Sequence, residues 1–140
     1  PLPNWEVRAG YTYIDARVKA SNAATSVGAL LTNVPHNSGS LWTRYNVVYG
    51  PFAGLGLGLG ANYVGNRAGI ITNVPTNYFV LPGYARVDAG LYRRWGRLDC
   101  ALNVGNLFDR TFISGVIPGT ATQIFPGSPR KFTFSVKVGF

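Results

Sequence analysis

The 140 residues carry 13 Lys+Arg against 5 Asp+Glu, a formal charge of +8, yet only 13% are charged while 46% are hydrophobic and 18 are glycine. Water-soluble domains spread about 25–35% charged residues of mixed sign over their surface, which this chain does not supply, and three Trp, eight Tyr and eight Phe exclude a disordered segment. One cysteine excludes an internal disulfide framework, one histidine argues against a self-contained transition-metal site, and no run reaches the ~20 apolar residues of a membrane-spanning helix.

The chain opens on Pro1-Leu2-Pro3-Asn4, with no Met, basic segment or apolar leader. Trp5 then enters a period-two alternation at once, so the start reads as cut from a longer chain. Helical periodicity is absent, and six alternating runs predict strands. The first sets Trp5, Val7, Ala9, Tyr11 and Tyr13 against Glu6, Arg8 and Thr12. The second sets Leu41, Thr43, Tyr45, Val47 and Tyr49 against Ser40, Trp42, Arg44 and Asn46. In the third, Leu55, Leu57, Leu59, Ala61 and Tyr63 oppose Gly56, Gly58, Gly60 and Asn62. The fourth opposes Ala85, Val87, Ala89 and Leu91 to Arg86, Asp88 and Tyr92, and the fifth Leu98, Cys100, Leu102 and Val104 to Arg97, Asp99 and Asn103. The last sets Phe132, Phe134, Val136, Val138 and Phe140 against Lys131, Thr133, Ser135 and Lys137.

Nine charges fall in these runs, all on the polar face, which chance would produce roughly once in five hundred trials. The apolar face therefore excludes charge. Alternation alone leaves open whether that face packs into a core or meets lipid. The connections favour lipid. Short links at 50–54 and 93–96 alternate with long ones near 19–37, 65–83 and 106–129, so all long loops share one end. Short turns on one side, long loops on the other and aromatics near strand ends are the pattern of an outer-membrane β-barrel. In hydrocarbon every backbone polar group needs a partner, so a spanning sheet must close. Six strands are too few to close around a wide polar lumen, and the remainder is expected before Pro1.

Four segments are more specific: Tyr63-Val64-Gly65-Asn66-Arg67, Leu81-Pro82-Gly83-Tyr84-Ala85-Arg86-Val87-Asp88-Ala89, Leu102-Asn103-Val104-Gly105-Asn106-Leu107-Phe108-Asp109-Arg110, and Pro126-Gly127-Ser128-Pro129-Arg130. With Ala9-Gly10-Tyr11-Thr12-Tyr13 and Asn33-Val34-Pro35, they resemble the C-terminal end of TonB-dependent siderophore receptors, especially the ferrichrome/ferric-hydroxamate branch. Asn66 and Phe112 depart from its commoner Asp and Tyr.

The resemblance implies an all-β fold, an antiparallel transmembrane β-barrel segment in which residues 1–140 are the last six strands of a barrel of about 22. It implies a bacterial outer-membrane wall for TonB-energised uptake of ferric siderophore, through an N-terminal plug that lies outside this sequence. Implied partners are ferric siderophore, the TonB complex through that plug, outer-membrane lipid and lipopolysaccharide, and the barrel assembly machinery, with Phe140 as the terminal assembly signal. No cofactor is expected on this segment, and the ferric siderophore is cargo. A passive porin-like channel and a soluble β-rich binding module are the alternative readings.

Of the candidate chemistries, His36 with Ser38 lacks an orienting acid and an oxyanion site, so no enzyme is expected. Cys100 falls on the lipid-facing parity as a small apolar residue, and the acids are dispersed, so no metal site is expected. Gly54 to Gly60 lack phosphate-loop spacing and read as room for whatever fills the lumen. The basic excess forms no run beyond Arg93-Arg94, so no nucleic acid is expected. Arg86/Asp88 and Arg97/Asp99 read as a lumen network binding wall to plug. Arg67, Arg110, Arg130 and Lys19, at loop ends, are positioned to meet lipid phosphates or steer an anionic chelate. For ligand contact the best residues are the loop aromatics Tyr78, Phe79 and Phe125.

Overall fold

The computed structural model describes residues 4–117 and 123–139. The described residues form ten strands: β1 (Trp5–Tyr13), β2 (Asn37–Asn46), β3 (Leu55–Val64), β4 (Arg67–Ala68), β5 (Val80–Leu81), β6 (Tyr84–Trp95), β7 (Leu98–Gly105), β8 (Ile113–Ile117), β9 (Gln123–Pro126) and β10 (Lys131–Val138). Six of them make one antiparallel meander, β1-β2-β3-β6-β7-β10, in which every neighbour is the next long strand in sequence. Nearest-neighbour pairing is what hairpin connections permit without crossovers.

The register keeps like with like. One row runs across the whole sheet as Trp5, Tyr45, Leu57, Leu91, Leu102 and Phe134. Because a one-residue slip would flip a strand's faces, this row shows that all six strands share one phase. The side chains of this face do not meet in a protein interior: Leu57, Phe134 and Val136 are 48%, 66% and 50% exposed. The sheet thus shows a continuous apolar surface far broader than water-soluble monomers leave open.

The two short connections differ from expectation. β2 ends at Asn46, and Val47 and Gly54 close the hairpin through Val47 N–H to Leu55 O at 2.7 Å and Gly54 N–H to Val47 O at 2.8 Å. β6 runs on to Trp95, which pairs with Leu98, leaving a two-residue turn of Gly96 and Arg97 in place of a link at 93–96. Gly96 has φ 58°, at the first turn position, where tight hairpins need glycine. Two consequences follow. Arg97 leaves the strand for the turn. Arg93 and Arg94 enter the strand, and Arg93 takes the parity of Leu91 and Trp95. Of the ten charges now in the six strands, nine lie on the polar face and Arg93 is the exception.

The three long connections are not structureless. They are L1 (residues 14–36), L2 (65–83) and L3 (106–130). L2 carries the β4–β5 hairpin and L3 carries β8–β9. Single bridges join Arg17 to Leu30 within L1, and Thr32 and Pro35 of L1 to Ala68 and Arg67 of L2. Among the described residues the fully buried apolar side chains are Ala29, Ala68, Leu81 and Val116, and all four lie in these connections. Among the described residues, the only core is in these loops.

Candidate functional site

The polar face of the sheet and the loop cluster above it hold the groups able to meet a ligand or a lumenal partner. On the polar face Gly56, Gly58 and Gly60 form a strip without side chains. A Cβ at Gly60 would stand 2.5 Å from the Trp42 ring, and one at Gly58 would stand 2.7 Å from it and 3.1 Å from Tyr92. The glycine strip is therefore a floor for wall side chains, and not open room for a lumenal occupant as expected. Over it Arg44 lies 4.3 Å from the Tyr92 ring centroid, a cation–π contact, and donates Nε to Asn46 Oδ1 at 3.1 Å. The Tyr92 hydroxyl donates to Asn103 Oδ1 at 2.9 Å. At the short-turn end a concavity of about 700 Å³ opens among Arg44, Arg94, Asp99 and Lys137.

Asp88 is a hub. Its Oδ2 accepts from Arg86 Nη2 at 2.9 Å and from Asn62 Nδ2 at 3.2 Å, while Oδ1 accepts the Asn106 backbone N–H at 2.8 Å. The carboxylate is only 19% exposed, and Arg86 Nε is buried with no partner among the described residues. Arg97 and Asp99 behave otherwise. Arg97 sits in the exposed turn, and Asp99 pairs with Arg94 at 3.4 Å, both side chains at least half exposed. The structure joins Arg86 to Asp88 and does not join Arg97 to Asp99.

Above the sheet the loops are tied by side chains from the sequence motifs. Arg67, 4% exposed, donates Nη1 to Ser114 O and Nη2 to Ile113 O, both at 2.8 Å. It thereby clamps L2 to L3 and faces neither lipid phosphate nor an incoming chelate, as its position at a loop end had suggested. Its guanidinium also lies 5.4 Å from the Tyr84 ring, which stacks on Phe112 at 4.1 Å. Asn106, 2% exposed with φ 53°, donates Nδ2 to Arg110 O and Ser128 O and accepts the Arg110 N–H. Asp109 Oδ1 accepts the Arg130 N–H at 2.8 Å. Asn66 Oδ1 accepts the Gly83 N–H at 2.7 Å. These Asn and Asp side chains replace backbone partners in turns, which is why short amides and carboxylates occupy them.

The loop aromatics are divided. Tyr78 and Phe125 are 39% and 42% exposed. Phe79 instead lies against the Gly69 backbone, whose N–H donates to Phe79 O at 2.9 Å. Among the described residues, stacking joins Tyr84 with Phe112 and Tyr13 with His36, and does not join these three. His36 covers Tyr13 at 6.0 Å, and Ser38 is a strand residue opposite Thr12 and Val64. Cys100 is half-buried on the apolar parity, opposite Arg93 and Val136. Phe140 lies outside the described residues. The clamping roles of Arg67, Asn33 and Asn106 escaped sequence reasoning, although all three stand inside the motifs quoted above. Trp42 was a readable signal: an aromatic on the polar parity, next to a strand of alternate glycines.

A meander with one exposed apolar face, one polar face, tight turns at one end and ordered loops at the other is the wall of a membrane-spanning barrel. Residues 3–107 match the family described as TonB dependent receptor-like, beta-barrel, and this chain belongs to that family. Among curated relatives, the Metal-pseudopaline receptor CntO of Pseudomonas aeruginosa is 37% identical over 132 residues, 93% of this chain and 18% of the relative. The Catecholate siderophore receptor Fiu of Escherichia coli K12 is 33% identical over 141 residues, 99% of this chain and 18% of the relative. Its closed crystal form superposes with a TM-score of 0.78 at 29% identity, covering 99% of this chain and 19% of that one. The Ferrichrome outer membrane transporter/phage receptor of E. coli K12 is 36% identical over 109 residues, 74% of this chain and 14% of the relative. The chain thus spans under a fifth of each of these curated relatives. These relatives are receptors for transport, not enzymes. A ferrichrome-type assignment is not singled out, since catecholate and pseudopaline receptors match over more of the chain.

Proposed function

We propose that this chain is part of the wall of an outer-membrane receptor that imports ferric siderophore with energy supplied through TonB. The observation that carries the reading is the division of one sheet into an apolar face that excludes nine of ten strand charges and a polar face organised on Asp88, within a family of TonB-dependent receptors. Arg86, Asp88 and Asp99 are the wall's contacts for a lumenal plug, whereas Arg97, in the exposed turn, is left out of that contact. The orphaned Nε of Arg86 supports this for the first pair, and the exposed Arg94–Asp99 pair at the other end leaves both groups free to exchange partners. Of Tyr78, Phe79 and Phe125, the ligand-facing aromatics are Tyr78 and Phe125. Their exposure supports both, and the packing of Phe79 on Gly69 makes it the support of its neighbour.

A ferric hydroxamate is the finer assignment of the cargo. It is supported by the motif resemblance and by the identity to the ferrichrome transporter. TonB acts through the plug, lipopolysaccharide borders the loop end, and Phe140 serves as the signal to the assembly machinery. Deleting the whole gene and measuring growth and radiolabelled iron uptake on single ferric hydroxamates, catecholates and opine-type chelates tests the reading. Loss confined to hydroxamates supports the assignment. Loss on another chelate class replaces the cargo and keeps the receptor, and uptake unchanged on every chelate sinks both. A TonB-deficient strain that still imports the cargo would favour a passive channel.

A further inference from the structure

We propose that the outer surface of β6 and β7, at the short-turn end, is a binding site for one glycerophospholipid of the periplasmic leaflet. Its phosphodiester sits on Arg93 and an acyl chain lies in the adjoining groove. The proposal rests on the barrel reading, since it places the apolar face in lipid.

Arg93 is the one strand charge on the apolar parity. Its cross-strand partners are Leu55 and Cys100, its neighbours on the same face are Leu91 and Trp95, and among the described residues it has no ion-pair partner. A cation so placed needs an anion from outside the chain. The guanidinium lies 5.0 Å from the Trp95 ring centroid, which fixes it beside a residue type that favours the membrane–water interface. Depth agrees. Arg93 is three residues short of Gly96, about 10 Å along the strand, and the tilt of a spanning strand reduces this to about 8 Å of depth. An arginine side chain spans that distance to the phosphate level. Its planar fork suits a phosphodiester oxygen pair.

The groove supplies the second half of the site. About 330 Å³ of open volume lies among Leu55, Leu91, Trp95, Cys100 and Phe134 beside Arg93, and its lining is apolar. It exists because Cys100 is much smaller than Leu98 and Leu102, which flank it on the same face of β7. An apolar groove next to one cation without an ion-pair partner and one Trp matches an amphiphile with an anionic head. A second copy of this chain, lacking an anion in register with Arg93, fits it less well.

The test uses the full-length protein reconstituted in vesicles of phosphatidylethanolamine and phosphatidylglycerol and released into native mass spectrometry. The wild type should retain phospholipid, and Arg93→Gln should lower the retained fraction roughly tenfold, the scale of one charge-assisted contact. Cys100→Leu, which fills the groove and keeps the cation, should lower it as well. Arg94→Gln, one residue away on the opposite face, should retain lipid as the wild type does. Equal retention by wild type and Arg93→Gln, equal loss in Arg94→Gln, or protein–protein cross-links at position 100 would overturn the proposal. Nitroxides on Leu57→Cys and Phe134→Cys, each in a Cys100→Ala background, separate this from failure of the barrel reading. If they are quenched by oxygen and not by a water-soluble nickel complex, the face is in lipid, and a negative lipid result then counts against the Arg93 site alone.

Discussion

Asn33 and Val116, 83 residues apart, pair as two facing strand residues would. Asn33 Nδ2 donates to Val116 O at 2.8 Å and Val116 N–H donates back to Asn33 Oδ1 at 2.9 Å. A side-chain amide here stands in for a peptide group and joins L1 to L3. Val116 is 2% exposed, so without Asn33 its N–H and C=O are buried and unpaired. Asn33→Ala should therefore destabilise the loop cluster by about 2–4 kcal/mol, combining two lost partners with the φ of 66° that alanine disfavours. Asn33→Gly, which relieves the backbone, should cost less. Hydrogen exchange of residues 113–117 checks the order.

Arg67 clamps L2 to the same hairpin through two carbonyls. Arg67→Met keeps much of the apolar stem and removes both charge-assisted bonds, each worth about 1.5–3 kcal/mol. Exchange in L2 and in residues 113–117 should accelerate together. Acceleration confined to L2 would show that the loops open independently.

The glycine floor makes a reciprocal prediction. Gly60→Val should clash with Trp42 and lower the unfolding temperature of the full barrel, an overpacking cost of about 1–3 kcal/mol. Trp42→Ala in the same chain should recover much of the loss. A double-mutant cycle reads the coupling, and additive effects would refute the contact.

Face identity can be measured by charge insertion. Phe134→Arg should impair folding into vesicles by about 2–4 kcal/mol if it lies at mid-depth in lipid, whereas Ser135→Arg, adjacent and on the polar parity, should be tolerated. Equal penalties would contradict the assignment of faces.

Two of the acidic residues on the polar face, Asp88 and Asp99, should differ. Asp88→Asn weakens an ion pair and turns an acceptor-only group into one that cannot serve all three donors, a cost of about 1–3 kcal/mol. Asp99→Asn removes an exposed pair worth at most about 1 kcal/mol. Denaturant unfolding of the two variants in detergent distinguishes them.

Six strands, their common phase and the end that carries the loops are all legible in the residues alone. Each of these follows from period-two alternation and from turn residues, and both are local: lipid tolerates almost no charge, so the apolar parity is written into every strand separately. The family motifs were equally legible, but their work was not. That Asn33 reaches Val116, that Arg67 reaches Ile113 and Ser114, and that Asn106 holds Ser128 depends on loops far apart in the chain meeting above the sheet. No spacing within one loop encodes such a meeting. The end of β6 was a smaller decision with a larger effect. Gly96-Arg97 between Trp95 and Leu98 could be read as a tight hairpin or as part of a longer link, and only the cross-strand pairing of Arg93 with Cys100 fixed the choice. Tertiary structure thereby placed a cation in the apolar face, because a side chain's face is set by its register with the next strand.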